Sequence, residues 1–380
     1  MDMNELREKI DGIDRQLVEL YCQRMETAAE IGRYKQEHGL PVLDSERERV
    51  LLNKVAEQAG EANGQGIRAL YHLLLDHSRL RQQLDGHPES RLGQQIRDVV
   101  AAMPAVFPEK AMVACQGVEG AYSQLACEKM IRYPSIMYCR TFENVFGAIE
   151  SGLCRYGILP IENSLAGSVN SVYDLMIRHH CYIVRSARIK IDHTLLALPG
   201  TKAEDIREIY SHEQAIQQCS AFLSRHKEWH VNVCTNTAAA ARMVAESGRK
   251  DAAAISSGHC AALYGLQCLS SEVQNNSNNH TRFICISKKP EIYPGADHTS
   301  LMLVLPNHPG SLYQLLSRFN ALDINLIKLE SRPLPGRDFE FMFYFDLEAS
   351  VGSPDFSRLI EALDVTLSQF TYLGSYSEVV

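Results

Sequence analysis

Between Asn4 and His38 the apolar residues Leu6, Ile10, Ile13, Leu17, Leu20, Tyr21, Ala28, Ile31 and Tyr34 recur at helical spacing, with no proline among them. The period predicts one amphipathic helix of about ten turns, stopped by Gly39 and Pro41. Two shorter helical patterns follow, one from Asp44-Ser45-Glu46 through Val50, Leu51, Val55 and Ala56, the other from Ile67 to Leu84. Three helices of such unequal length cannot bury the long one, which would leave its apolar stripe in water. A homodimer or higher homo-oligomer of this helical domain is the expected remedy.

Beyond Asp85 the chain turns to Gly86, Pro88, Gly93, Pro104 and Pro108 around one short helical run. That composition marks a linker over residues 89–110 and closes the helical domain over 1–88. Residues 111–290 alternate short apolar runs, such as Ala111 to Cys115 and Ala252 to Ile255, with helical stretches, the pattern of an α/β domain. Residues 297–380 read β-α-β-β-α with a closing strand near Tyr372, a ferredoxin-like α+β plan with a strand from Glu340 to Asp346. The whole is therefore multidomain, as a length of 380 residues suggests.

A hydrophobic share of 45% and a charged share of 22% exclude a disordered chain, and a net charge of −8 gives no reason to expect nucleic acid or an anionic membrane as partner. The eleven cysteines form no C-x-x-C pair, which argues against a metal site and for scattered thiols in a reducing compartment. With no apolar leader or span, a cytoplasmic location is expected.

In the helical domain, Arg24 and Lys35 lie three turns apart on one face, about 16 Å along the axis, a span that two long side chains close around a small dianion. Arg7 lies about 25 Å from Arg24 and about 100° round, so it joins such a site only from a second subunit. Asp44, Arg47 and Glu48 share a face, as do Ser78 and Gln82. Spacing alone is equally served by surface charges in i,i+4 pairs. The runs Leu6-Arg7-Glu8-Lys9-Ile10-Asp11, Ile31-Gly32-Arg33-Tyr34-Lys35 and Pro41-Val42-Leu43-Asp44-Ser45-Glu46-Arg47-Glu48, with Arg24 between, resemble the all-helical chorismate mutases. The resemblance covers residues 3 to about 84. It implies an intertwined dimer whose pocket is lined by Arg7, Arg24, Lys35, Asp44, Arg47, Glu48, Ser78 and Gln82. It also implies a Claisen rearrangement of chorismate to prephenate, which needs orientation but no metal, cofactor or nucleophile.

In the central domain, Gly117-Val-Glu-Gly120-Ala-Tyr122-Ser123, Pro160-Ile161-Glu162-Asn163-Ser164 and Asn278-Asn279-His280-Thr281-Arg282-Phe283 are small polar segments at strand ends. They serve equally as helix caps and turns, and they lack a dinucleotide fingerprint. With Ser211-His212-Glu213-Gln214, Gln218 and Leu263-Tyr264-Gly265-Leu266, they resemble the prephenate dehydratases, although Glu213 stands where many members carry proline. That family implies a two-lobed fold like the periplasmic binding proteins, with prephenate in the cleft. Thr281 would then be the proton donor or orienter, and Tyr122, Ser123, Asn163, Ser164, Ser211, Gln218, Arg282 and Phe283 would contact substrate. His212 and His280 are alternative acids. No cofactor is needed, because loss of carbon dioxide drives out the ring hydroxyl.

The turn Asn307-His308-Pro309-Gly310-Ser311-Leu312 and the strand Leu329-Glu330-Ser331-Arg332-Pro333 resemble the ACT regulatory module of the same enzymes. The resemblance implies L-phenylalanine bound between paired modules near Asn307, Pro309, Gly310, Leu312, Glu330 and Ser331. The full reading is a bifunctional mutase and dehydratase under feedback. Its rivals are a chain that keeps one activity, and a non-enzymatic amino-acid sensor.

Overall fold

Helix α1 (Met3–Glu37) opens on a capping box: the Asp2 carboxylate accepts the Glu5 N–H at 2.8 Å and the Glu5 carboxylate accepts the Asp2 N–H at 3.0 Å. The computed structural model describes residues 2–84, 90–334 and 341–379. Two units divide the chain, residues 1–98 with 302–371 and residues 99–301 with 372–380.

In the first unit, α2 (Ser45–Leu84) carries both of the shorter helical patterns and breaks between them at Gly60, whose φ of 72° and ψ of 173° suit only glycine. Helix α1 packs on α2 through Ala28, Ala29 and Gly32. A Cβ on Gly32 would lie 2.8 Å from Gln82 Cα, so the glycine is what lets the two backbones close and brings Gln82 beside α1. Toward the N-terminus the same apolar stripe has no cover among the described residues, with Ile10 57% and Leu20 61% exposed. Helix α3 (Arg91–Ala101) is the short helical run expected within residues 89–110. It buries Ile96 and pairs Arg97 with Glu361, so this stretch is a packed helix. Gly86 and Pro88, at the expected end of the helical domain, lie outside the described residues, as does Glu340 of the expected C-terminal strand.

The second unit folds as two sheets. Strands β1 (Lys110–Gln116), β2 (Tyr133–Cys139) and β3 (Tyr156–Asn163) alternate with α4 (Tyr122–Met130) and α5 (Phe142–Glu150). After β4 (Gly167–Ser168) and α6 (Asn170–His179), β5 (Tyr182–Lys190) leads out to a second lobe. That lobe contains β6 (His193–Ala197), β7 (Glu208–Ser211), α7 (Glu213–Gln218), α8 (Ser220–Leu223), β8 (His230–Val233) and α9 (Thr237–Ser247). It closes with β9 (Ala252–Ser257), α10 (His259–Tyr264) and β10 (Gln267–Ser270), and β11 (His280–Ser287) returns to the first lobe. The second sheet runs β10-β6-β9-β7-β8; its middle strand, Ala-Ala-Ala-Ile-Ser-Ser, is buried throughout, which its small side chains permit. In the first lobe the order is β5-β11-β3-β1-β2. The chain thus crosses between lobes twice, and the crossings run side by side, with the Ile191 N–H donating to the Asn279 carbonyl at 2.8 Å. Two crossings beside a cleft are the two-lobed plan expected for this domain.

The C-terminal elements are β12 (His298–Val304), α11 (Ser311–Ala321), β13 (Asn325–Pro333), β14 (Phe341–Glu348), α12 (Pro354–Thr366) and β15 (Phe370–Val379). Their sheet order, β13-β14-β12-β15, is that of a ferredoxin-like fold. All eleven cysteines are free, and burial pushes the thiols of Cys181 to about 11 and Cys219 to about 12, so they remain neutral packing groups. Among the described residues no helix is long and apolar enough to cross a membrane.

Candidate active sites

Two cavities gather most of the residues singled out from the sequence. The first, about 710 Å³, lies between α1 and α2 and is lined by Arg24, Lys35, Asp44, Arg47, Glu48, Ser78 and Gln82. Arg24 is anchored by donating to the Leu74 carbonyl at 2.9 Å and to the Ser78 hydroxyl, and burial lowers its pKa from the ordinary value. Ser78 in turn donates to the Leu74 carbonyl at 2.7 Å, so its oxygen faces the guanidinium. Lys35 spends one donor on the Val42 carbonyl at 2.6 Å and keeps two for a ligand. Asp44 accepts the Arg47 N–H at 3.0 Å, which starts α2 and aims Arg47 at the cavity. Glu48 is held by Arg79, 2.6 Å from each carboxylate oxygen. Gln82 Oε1 is buried and has no partner. Arg7 is exposed at the far end of α1 and does not line this cavity, as the helical geometry required.

The second cavity, about 600 Å³, opens between the two lobes beside the crossings. Tyr122, Asn163, Gln218, Thr281 and Phe283 line it, together with His193, His212, Gln116 and Asn236. Thr281 and Phe283 share a face because β11 alternates; for the same reason Arg282 points away, toward Glu162, its Nη2 3.9 Å from Oε2. Beside them β3 bulges at Ile161, which the register passes over as Arg282 pairs Glu162 and Phe283 pairs Pro160. Three other sequence expectations are corrected in the same way. Ser211 is fully buried and donates to the Ile255 carbonyl at 2.6 Å; Ser123 donates to the Gln116 carbonyl at 2.6 Å. Ser164 ties the loop to its neighbour, accepting the His280 N–H at 3.0 Å. Each shapes the wall without lining the cavity. His280 does not line it either, whereas His212 does, as the cap of α7. Glu213 begins that helix at the position where proline is also well accommodated, so the departure changes little.

One hydrogen-bond chain orders this cleft. Asn163 Oδ1 accepts two backbone N–H groups, from Leu165 at 3.1 Å and Ala166 at 2.9 Å, which fixes the amide nitrogen as the end facing Thr281. Nδ2 donates to Thr281 Oγ1 at 2.9 Å and to Asn279 Oδ1 at 2.7 Å. Thr281 therefore has its own hydrogen left to give. Asn279 donates to Gln218 Oε1 at 3.1 Å, so His193 Nε2, 2.9 Å from the same oxygen, must also be a donor. His193 Nδ1 is then a bare, buried acceptor without a partner, and burial holds this imidazole below its ordinary pKa, in the neutral form. Burial likewise pushes the Tyr122 hydroxyl up, and it donates to the Asp192 carbonyl at 2.6 Å. No Lys or Arg lines this cleft among the described residues. The N-terminal ends of α4, α5 and α9 and the cap residues of α6 and α7 converge on it instead, and helix N-termini favour anions. His193, Asn279, Gln116 and Asn236 were missed from the sequence; their only signal is position, at the ends of strands or crossings.

Of the expected effector residues, Pro309 lines a third cavity against α2, while Glu330 and Ser331, as neighbours on β13, face opposite sides of that strand.

A charged pocket on helices and a neutral cleft between lobes, carried on one chain with a ferredoxin-like module, define a two-site enzyme. Residues 6–83 match the family model described as chorismate mutase type II, and residues 113–291 match that of prephenate dehydratase. The bifunctional chorismate mutase/prephenate dehydratase of Escherichia coli (strain K12) is 32% identical over 381 residues, 98% of this chain and 95% of its own. A prephenate dehydratase from Arthrobacter aurescens, solved in complex with L-Phe, is 27% identical with a TM-score of 0.62, covering 70% of this chain and 89% of its own. GqqA, described as a novel type of quorum quenching acylase, is 32% identical with a TM-score of 0.62, covering 70% of this chain and 96% of its own. The chain belongs to the bifunctional chorismate mutase/prephenate dehydratases.

Proposed function

We propose that the helical cavity converts chorismate to prephenate and the cleft converts prephenate to phenylpyruvate. The observation that carries this reading is the sorting of charge: Arg24, Lys35 and Arg47 around one cavity, and Thr281 braced by Asn163 in the other.

In the first step a bond breaks at the ether oxygen while a carbon–carbon bond forms, with no proton moved. Arg24 and Arg47 hold the substrate carboxylates, so that the enolpyruvyl arm folds over the ring. Lys35 and Gln82 stabilise negative charge growing on the ether oxygen, and Glu48 takes the ring hydroxyl. Arg7 of a second copy completes the site, which accounts for the uncovered stripe of α1.

In the second step decarboxylation pushes electrons through the ring, hydroxide leaves and the ring becomes aromatic. The helix N-termini hold the carboxylates. Thr281, its oxygen already accepting from Asn163, points its hydrogen at the departing hydroxyl. His212 on the same wall is the second-ranked donor.

The C-terminal fold serves as an ACT module that takes L-phenylalanine near Asn307, Pro309, Gly310, Leu312, Glu330 and Ser331, between copies of the chain. The L-Phe complex of the Arthrobacter relative supports that reading, and the eleven free thiols suit a cytoplasmic setting. Separate assays of chorismate loss and phenylpyruvate formation, each titrated with L-phenylalanine, provide the test. Both products are expected, with inhibition at added effector. Loss of chorismate without phenylpyruvate would leave a mutase alone, and binding without turnover would leave a sensor.

A further inference from the structure

Arg79 stands between two carboxylates. Its Nη1 grips Glu48, and its Nη2 lies 3.6 Å from Asp76 Oδ1. From the other side Arg318, on α11, holds the same Asp76 with two bonds, Nη2 to Oδ1 at 2.9 Å and Nε to Oδ2 at 3.2 Å. The Asp76 side chain is only 6% exposed and that of Arg318 17%. Glu48, Arg79, Asp76 and Arg318 thus form a row of alternating charge with no net excess. It begins on the wall of the helical cavity and ends on the helix that follows the Gly310 turn.

A buried carboxylate keeps a cation or destabilises its surroundings. While Arg318 satisfies Asp76 with a fork of two bonds, Arg79 is free to give its own bonds to Glu48. Without Arg318, Asp76 competes for Arg79, whose Nη2 is already close, and a small turn of the guanidinium would unbrace Glu48. An unbraced Glu48 would lose its orientation and present bare negative charge to a dianionic substrate. We infer that Arg79 and Arg318 are positioning residues for the chorismate reaction: Arg318 engages Asp76 so that Arg79 can hold Glu48. The C-terminal module is thereby read directly in the mutase pocket. Glu48, Asp76, Arg79 and Arg318 also line one cavity of about 430 Å³ with His308, Pro309 and Ser311, so a change at that turn meets the row at once. The inference rests on the reading of the helical cavity as the chorismate site.

The test uses the full chain and steady-state kinetics of both activities. Arg318→Gln should raise the mutase KM about five- to tenfold, leaving the dehydratase KM unchanged as the control for folding. Adding Asp76→Asn to that variant removes the competitor for Arg79 and should bring the KM back to within about threefold of the parent. A merely structural contact gives no such recovery. Arg318→Gln with a mutase KM within twofold of the parent, or a double variant no better than the single one, would overturn the inference. If Arg318→Gln fails to fold, Arg318→Lys decides: it keeps the charge but not the fork, so a rise of about two- to fivefold is expected and no rise overturns the inference. Glu48→Gln separates the two levels. If it leaves the mutase unchanged, the reading of the pocket falls; if it impairs the mutase while Arg318→Gln does not, only the relay falls.

Discussion

The two cavities solve opposite problems with opposite chemistry. The helical pocket is lined by long cationic side chains on half-exposed helix faces, and Arg24 alone of the three cations is tied down by several contacts. The cleft is walled by amides, hydroxyls and imidazoles in a buried chain, with Asn163 6%, Thr281 8% and Asn279 0% exposed. A pericyclic step moves no proton, so its catalyst only has to fold a dianion and favour charge at one oxygen. A step that expels hydroxide needs a donor with its hydrogen aimed, and aiming requires every neighbour to be committed to its own bond.

Breaking one site while sparing the other tests that contrast most strongly. Thr281→Ala should cut phenylpyruvate formation by about 10²–10⁴-fold with chorismate turnover intact, the range for removing a positioned proton donor; an unaffected rate removes Thr281 from its role. Arg24→Ala should lower mutase kcat/KM by about 10²–10³-fold and leave the dehydratase alone. Mixed with Arg7→Ala chains, it should recover about a quarter of parental mutase activity, because half the dimers are mixed and each has one complete site. No recovery would mean that the site belongs to one chain.

Ionic strength sharpens the same comparison more gently. Between about 0.05 and 0.5 M salt the mutase KM should rise several-fold and the dehydratase KM far less, since screening reaches exposed cations before buried dipoles. The smallest effect concerns pH. Burial holds His193 below its usual value near 6.5, so below that pH the unfolded chain binds a proton that the folded imidazole refuses. Stability should therefore fall as pH drops from about 7.5 to about 5.5, and His193→Gln should flatten part of that slope in urea titrations.

Periodicity was enough to read α1 almost to the residue, because a ten-turn apolar stripe has one explanation. Motifs identified the cleft but not which side chains enter it. Thr281 and Arg282 are adjacent letters in one motif, and strand alternation sends them to opposite faces. Ser164, Ser211 and Ser123 are polar in polar motifs, yet each is spent on a neighbouring backbone group. Conversely His193 and Asn279 matter only because two crossings far apart in sequence run side by side. Arg79 was invisible for the same reason: its partners Glu48 and Asp76 are 31 and three residues away, and the fourth member of the row is on another module.

The bare stripe of α1 has a final consequence in mass action. On the proposed reading the helical pocket takes its Arg7 from a second chain, whereas the cleft calls on no residue of a partner. Dilution should therefore leave the second reaction untouched while starving the first, so that protein concentration itself sets how much prephenate each cleft receives.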